Sequence, residues 1–270
     1  PVDNSPKATE HINEMIEMIQ KLLDGGYAYA TPLAIYFDIS KAKDYTRLSK
    51  QNLSELLNNA GSGDINDSDK KNQQDFSLWF FKSGHHANAL QTWDSPWGFG
   101  FPGWHLECSA MSKKYLGDHF DIHIGGVEHI SIHHTNEIAQ SEAANGTEFV
   151  NYWMHNEHLL VDNKKMSKSE GTSFSIDDIE KKGFSAQDLR YFFLQAGYRS
   201  KQNFTWEALK ASKTALLRLR KQIMSIKLEG EINTEFKEVF KELLEDDFNI
   251  PQALALVSTI MKSDIFEGDK

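Results

Sequence analysis

HFDIHIGGVEHISIHHTNEIAQSEAANGTEFVNYWMHNEHLLV, residues 119–161, is the stretch that decides the fold class. His119 to Ile124 alternates apolar and polar residues as a short strand does, and Gly125-Gly126 ends it. A helix is predicted from about His133 to Ala144, stopped by Asn145-Gly146. Tyr152 to Val161 reads as the next strand. Strand, glycine pair, helix, strand is the rhythm of a parallel α/β sheet.

Working outward toward the N-terminus, Glu107 to Leu116 reads as a helix, entered through an aromatic, Gly/Pro-punctuated loop from Trp93 to Trp104. Phe76 to Phe81 and Leu33 to Ile39 read as strands, and the polar, acidic run 53–75 between them as a mobile insertion. The first helix carries Ile12, Met15, Ile16, Ile19, Leu22 and Leu23 at helical spacing. Ser5-Pro6 is expected to cap it and Gly25-Gly26 to stop it. Beyond Ile176 the pattern turns helical: Ala186 to Leu194, a Thr205-capped run from Trp206 to Ile226, and an amphipathic pair over 233–262 broken at Asn249-Ile250-Pro251. No internal repeat is visible.

At 270 residues, 40% hydrophobic and 25% charged, the composition is globular rather than disordered or fibrous. No run of eighteen apolar residues exists, which excludes a membrane-spanning helix on length. Pro1-Val2-Asp3-Asn4 shows no basic start or apolar core of a secretory signal, and a single cysteine excludes an internal disulfide framework, so a cytoplasmic protein is expected. The net charge of −10 is unevenly spread: residues 181–227 hold eleven Lys/Arg against Asp188 and Glu207. Such asymmetry suits one face for a polyanion, although a basic stretch is also what an ordinary solvated helix displays.

Two sets of residues carry chemistry. His133 and Glu137 stand four apart, so a helix points both the same way, within reach of one cation at ~2.0–2.2 Å. Cys108, on another element, can supply a thiolate at ~2.3 Å. His134 is the alternative imidazole, read as turned about 100° from Glu137. A lone cysteine is more often a buried small hydrophobe, and His-x-x-x-Glu recurs by chance, so neither alone makes a metal site. Six histidines between residues 119 and 155 raise the case for one, or for an anion pocket. The second set is Lys165-Met166-Ser167-Lys168-Ser169, followed by Gly171. Two ammonium groups on flexible stems suit a leaving pyrophosphate, and Ser167 and Ser169 can donate to phosphate oxygens.

That pentapeptide resembles the KMSKS loop of class I aminoacyl-tRNA synthetases at all five positions, and the surrounding blocks resemble cysteinyl-tRNA synthetases. Residues 97–111, WGFGFPGWHLECSAM, are similar to that family's zinc-cysteine block, and 121–126 with 133–141 to its second zinc block. NYWMH at 151–155 and DDFNIP at 246–251 also fit. The resemblance implies an α/β fold: the second half of a Rossmann-like parallel-sheet catalytic domain with an inserted α+β connective region, then a helical stem-contact region and the start of a helical bundle. The expected divisions are 1–100, 101–162, 163–230 and 231–270.

The resemblance also implies roles. Cys108, His133 and Glu137, with one further cysteine outside this sequence, would hold zinc, which would bind the substrate cysteine. Trp104 and His123 would line the cysteine pocket. Gly125, Gly126 and Glu128 would face ATP, and Lys165, Ser167 and Lys168 its phosphates with magnesium. Residues 181–227 would meet tRNA(Cys). The implied enzyme is a monomeric cysteine–tRNA ligase. The chain departs from the family at Glu128 (usually Asp) and at Glu170 and Thr172 (usually Leu and Asn), and it lacks the HIGH motif. An internal fragment, inactive alone, is therefore expected. A cysteine ligase acting on a small amine, or a non-catalytic zinc-stabilised RNA-binding module, are the alternatives.

Overall fold

The computed structural model describes residues 2–52, 67–167, 171–226 and 232–263. Two compact units divide the chain, residues 1–155 and 156–270.

The first unit begins with α1, Ile12–Asp24, which buries Met15, Met18, Ile19 and Leu22. Ser5-Pro6 does not cap it. His11 occupies the N-cap position, nearly buried, with Nδ1 2.7 Å from the Lys7 carbonyl and Nε2 2.9 Å from the Tyr115 hydroxyl. These two contacts fix the chain at His11 and delay the helix beyond the proline. A four-stranded antiparallel sheet follows: β1 (Ala28–Ala30), β2 (Ala34–Phe37), β3 (Phe76–Phe81) and β4 (Gly100–Pro102), in that order. All four residues of β2 are buried, so the strand lies inside the unit rather than at its surface.

Residues 53–66 of the predicted insertion lie outside the described residues, but 67–75 are not a free loop. Asp75 is fully buried and accepts hydrogen bonds from the Tyr29 hydroxyl (2.6 Å) and the Ile39 and Asn72 amides (3.0 Å each). Asp67 accepts from Thr31 Oγ1 at 2.7 Å. The polar composition reflects acceptors turned inward onto the sheet. Asp75→Ala should therefore destabilise the unit by about 3 kcal/mol, since it strands several buried donors. A urea-unfolding midpoint close to that of the parent chain would contradict this.

Two helices and two strands complete the unit: α2 (Trp104–Leu116), β5 (Phe120–Gly126), α3 (His133–Asn145) and β6 (Val150–Asn156). Helix α2 starts three residues earlier than the pattern suggests. Gly103 caps it from extended backbone, and a Cβ there would come within 2.0 Å of the Ser77 carbonyl oxygen, so glycine lets the helix start press on β3. β5 and β6 form a parallel two-stranded sheet connected through α3, the βαβ unit foreseen. Gly125 and Gly126 are the last two residues of β5, so the strand ends on the pair as expected. The core joins α1, the sheet, α2 and α3 through Met15, Ile19, Leu22, Ile35, Leu78, Trp79, Leu106 and Ala139. Each fully buried large side chain there contributes roughly 1.5–3 kcal/mol.

Helix α3 has no apolar stripe. His133 through Ser141 are all buried, and six of those nine are His, Thr, Asn, Glu or Gln. Buried polar groups need partners, and most here have them. Thr135 Oγ1 donates to the Ile130 carbonyl at 2.8 Å, and the Tyr45 hydroxyl donates to Asn136. Gln140 Nε2 donates to the His105 carbonyl (2.7 Å) and to Ser109 Oγ (2.6 Å). Ser141 Oγ lies 2.9 Å from Ser109 Oγ. Just beyond, Arg47 holds Glu142 with two hydrogen bonds of 2.8 and 2.5 Å. A polar seam therefore joins α3 to α2 at a fixed rotation.

In the second unit the predicted strand 152–161 is really two: β6 ends at Asn156 and β7 runs Leu159–Val161. The Glu157 amide donates to the Tyr198 carbonyl at 2.8 Å, which takes it out of a continuous strand. β7 pairs antiparallel with β8 (Lys164–Lys165) and parallel with β9 (Gln202–Phe204). Helices α4 (Ile176–Lys181) and α5 (Ala186–Leu194) both open with capping boxes, Ser175/Asp178 and Ser185/Asp188. Thr205 caps α6 (Trp206–Ser225), and α7 (Thr234–Glu245) and α8 (Ile250–Lys262) follow. Val161, Ile179, Phe192, Phe204 and Leu209 form this unit's core.

Candidate metal centre and lysine hairpin

The polar seam of α3 leaves one group unsatisfied. Glu137 is fully buried, and neither carboxylate oxygen has a hydrogen-bond partner among the described residues. Three imidazole Nε2 atoms stand around its Oε2: His123 at 3.3 Å, His133 at 3.5 Å and His134 at 3.7 Å. The donor atoms of Cys108, His133 and Glu137 all lie within 4.8 Å of one another, and so do those of His123, His134 and Glu137. The three residues expected to hold a metal are thus brought together by α2 and α3.

His134 corrects the sequence reading. A residue three positions before Glu137 lies about 60° from it around a helix, not 100°. Its imidazole converges on the carboxylate, while Nδ1 lies 2.7 Å from His155 Nε2. His105, absent from the sequence-based candidates, sits with Nδ1 2.9 Å from His133 Nδ1. Its signal was its place three residues before Cys108, hence on the same face of α2. Trp104 is 57% exposed and covers His133 with ring centroids 4.2 Å apart. Trp153 lies tilted beside His123 and His134, with ring centroids 4.9 and 4.8 Å away. Gly125 runs beneath the cluster: a Cβ there would meet His134 Cε1 at 2.5 Å and His129 Nδ1 at 2.7 Å. A Cβ on Gly126 would meet the Glu128 carboxylate, which folds back over it.

The electrostatics follow from burial. Burial pushes the Cys108 thiol up to about 12, helped by the nearby Glu137 and Glu107 carboxylates. It raises the Glu137 carboxyl too, against the opposing pull of His123. Burial and the neighbouring imidazoles push His133 down to about 3 and His134 to about 2, and burial chiefly takes His105 to about 4. A divalent ion would reverse the penalty on both acids. The soft-plus-borderline donor set, sulfur, imidazole nitrogen and carboxylate oxygen, fits zinc.

In the second unit, Asp162 and Asn163 both take positive φ (50° and 62°), the type I′ signature, and turn β7 back into β8. The lysine segment is therefore a hairpin arm presenting exposed Lys164 and Lys165. Ser167 follows, its amide donating to Thr172 Oγ1 (2.9 Å) while the Thr172 amide donates to the Ser167 carbonyl (3.1 Å). Thr172 thus holds Ser167 at both backbone groups. Lys168, Ser169 and Glu170 lie outside the described residues. Of the basic stretch, Lys210, Arg218, Arg220 and Lys221 are exposed on α6 and Arg190 on α5. Arg199 is committed elsewhere, to Asp247, through Nε–Oδ2 at 2.6 Å and Nη2–Oδ1 at 3.1 Å. Lys227 lies outside the described residues. No helix among the described residues is long and apolar enough to cross a membrane.

Comparison with known proteins bears on this geometry. Residues 1–214 match the family described as tRNA synthetases class I (C) catalytic domain. The cysteine–tRNA ligase of Treponema denticola is 45% identical over 262 residues, 97% of this chain and 52% of that protein. That of Opitutus terrae is 44% identical over 274 aligned positions, 100% of this chain and 59% of that protein. The chain spans about half the length of the curated relatives it matches. In fold it is similar to the Mycobacterium tuberculosis methionyl-tRNA synthetase bound by methionyl-adenylate, with a TM-score of 0.62 at 12% identity over 96% of this chain and 65% of that one. With the family match running through both α3 and the lysine hairpin, the chain belongs to the class I (C) tRNA synthetase catalytic-domain family.

Proposed function

We propose that the chain serves a cysteine–tRNA ligase, in which cysteine and ATP give cysteinyl-adenylate and pyrophosphate, and the cysteinyl group then passes to the 3′ end of tRNA(Cys) with release of AMP. One observation carries the reading: a fully buried Glu137 carboxylate, neither oxygen hydrogen-bonded among the described residues, converging with Cys108 and His133. The names of the relatives support the same choice of amino acid. Cys108, His133 and Glu137 hold zinc in this reading. When bound, zinc supplies a thiophilic centre for the substrate sulfur, at which serine's hydroxyl is a poor ligand.

The chain's own side chains do the rest. Trp104 forms an exposed aromatic wall over His133, and His123 Nε2 stands 3.3 Å from Glu137 Oε2, so both border the donor cluster that a small thiol would approach. Gly125 and Gly126 are where backbone would approach the nucleotide in this reading, with Glu128, whose carboxylate lies against Gly126, serving the ribose or α-amino end. Lys165, Ser167 and Lys168 stabilise the charge that grows on the departing pyrophosphate, with magnesium on the ATP. Catalysis of this kind is positioning and charge stabilisation, with no protein nucleophile. The exposed cations of α5 and α6 suit contacts to tRNA phosphates, which position the strand without reading sequence.

The test is zinc stoichiometry on the chelator-treated, zinc-reconstituted chain, beside a Cys108→Ser control, with and without cysteine. About one zinc per chain is expected, lost in the control and bound more tightly with cysteine but not with serine. Zinc held equally by the Cys108→Ser chain, or indifferent to added cysteine, would sink the reading.

A further inference from the structure

The histidines around Glu137 are not equivalent, and His105 stands apart. It belongs to neither group of converging donor atoms, yet its Nδ1 lies 2.9 Å from Nδ1 of His133, whose Nε2 faces Glu137 at 3.5 Å. Two neutral imidazoles in contact through nitrogen need one N–H and one lone pair between them. For His133 to offer a lone pair on Nε2, its single proton must sit on Nδ1, and His105 must accept it with its own Nδ1. The opposite arrangement puts a hydrogen on His133 Nε2 and removes a ligand. His105 is well held for this task. Its carbonyl accepts Gln140 Nε2 at 2.7 Å, and its ring stands edge-on to Phe76 at 5.8 Å and 89°.

We propose that His105 is a positioning residue that, by accepting a hydrogen bond at Nδ1, holds His133 in the Nδ1–H tautomer with the Nε2 lone pair aimed at the metal position beside Cys108 and Glu137. This rests on the zinc reading above. Partners that orient a metal-ligating imidazole through its second nitrogen act on affinity without touching the metal.

Two measurements test it. The first is the tautomer of His133 in the metal-free chain, read from its imidazole ¹⁵N shifts. The Nδ1–H form is expected in the parent chain and in His105→Asn, whose amide oxygen can accept in place of Nδ1. It should give way to a mixture or the Nε2–H form in His105→Leu. The second is zinc affinity by chelator competition. His105→Leu should weaken it about ten- to hundredfold, while His105→Asn stays within about threefold of the parent. Equal losses in the two variants would reduce His105 to packing, and no loss in His105→Leu would overturn the proposal. A parent chain whose His133 carries its proton on Nε2 overturns it outright, whether or not zinc binds. If zinc does not bind at all, the metal reading fails while the tautomer still decides the role of His105. Should His105→Leu not fold, the parent tautomer and the His105→Asn affinity carry the decision.

Discussion

Replacing Glu137 with glutamine is expected to weaken zinc binding by about a hundredfold or more and, in the same chain without metal, to raise stability at pH 7 by about 1–3 kcal/mol. The two effects have opposite signs because one carboxylate does two things. It is fully buried with no hydrogen-bond partner for either oxygen among the described residues, which is costly for a charge that no cation offsets. Burial raises its folded-state pKa above the unfolded value of 4.5. The stability tied to that proton is fully present below pH 4.5 and is lost as the pH rises through the folded-state pKa. Glutamine has no such proton to lose, and so escapes the penalty at pH 7. The metal then reverses the comparison, since only the carboxylate gains from it. Thermal melts of both chains, with zinc and with chelator, should cross over. A glutamine variant less stable than the parent in chelator would mean that a partner already satisfies Glu137, and the case for a cation there would weaken.

Much of this arrangement was legible in sequence, for identifiable reasons. The i,i+4 spacing of His133 and Glu137 fixes their common direction once the helix is granted, and the helix follows from its own stop signal at Asn145-Gly146. The lysine loop is legible as a motif because five positions match at once. The hairpin beneath it was missed although Asp162-Asn163 is a two-residue turn signal, because Lys164 and Lys165 look like loop rather than strand. Polarity misled at 67–75, where composition reports that side chains prefer water. It does not report that Asp75 would instead answer buried amides and a phenol. The same limit hid His105 and set His134 aside. Helix α3 buries a polar face, so no apolar periodicity distinguishes its inner histidines from outer ones. Which histidines pair with which depends on the rotation between α2 and α3, set by Gln140 and Ser141 on Ser109. That is tertiary information.

The metal-free chain should lose stability steeply on mild acidification, by about 3 kcal/mol per pH unit between pH 6.5 and 4.5. The sign follows from the imidazoles. Unfolded, each takes its proton near pH 6.5; folded, His105 holds out to about 4, His133 to about 3 and His134 to about 2. A depressed folded-state pKa gives a histidine stability that is full above 6.5 and falls away below it. Three such groups remove about 4 kcal/mol per pH unit, each costing about 1.4. Glu137 works in the other sense, because its raised carboxyl takes up a proton in the folded state first, and so it trims that slope. Carboxylates held low, such as Asp38 and Asp67, enter only as the pH nears their unfolded value of 3.8. Domains are commonly stable by only about 5–15 kcal/mol, so two pH units are enough to remove most of that margin. With two compact units in the chain, the probe must be local to the first, and hydrogen exchange of the α3 amides in chelator across pH 4.5 to 7 is suitable. A slope below about 1.4 kcal/mol per pH unit, the worth of one proton, would mean that the folded cluster already admits protons, so that water, rather than packed side chains, surrounds Glu137.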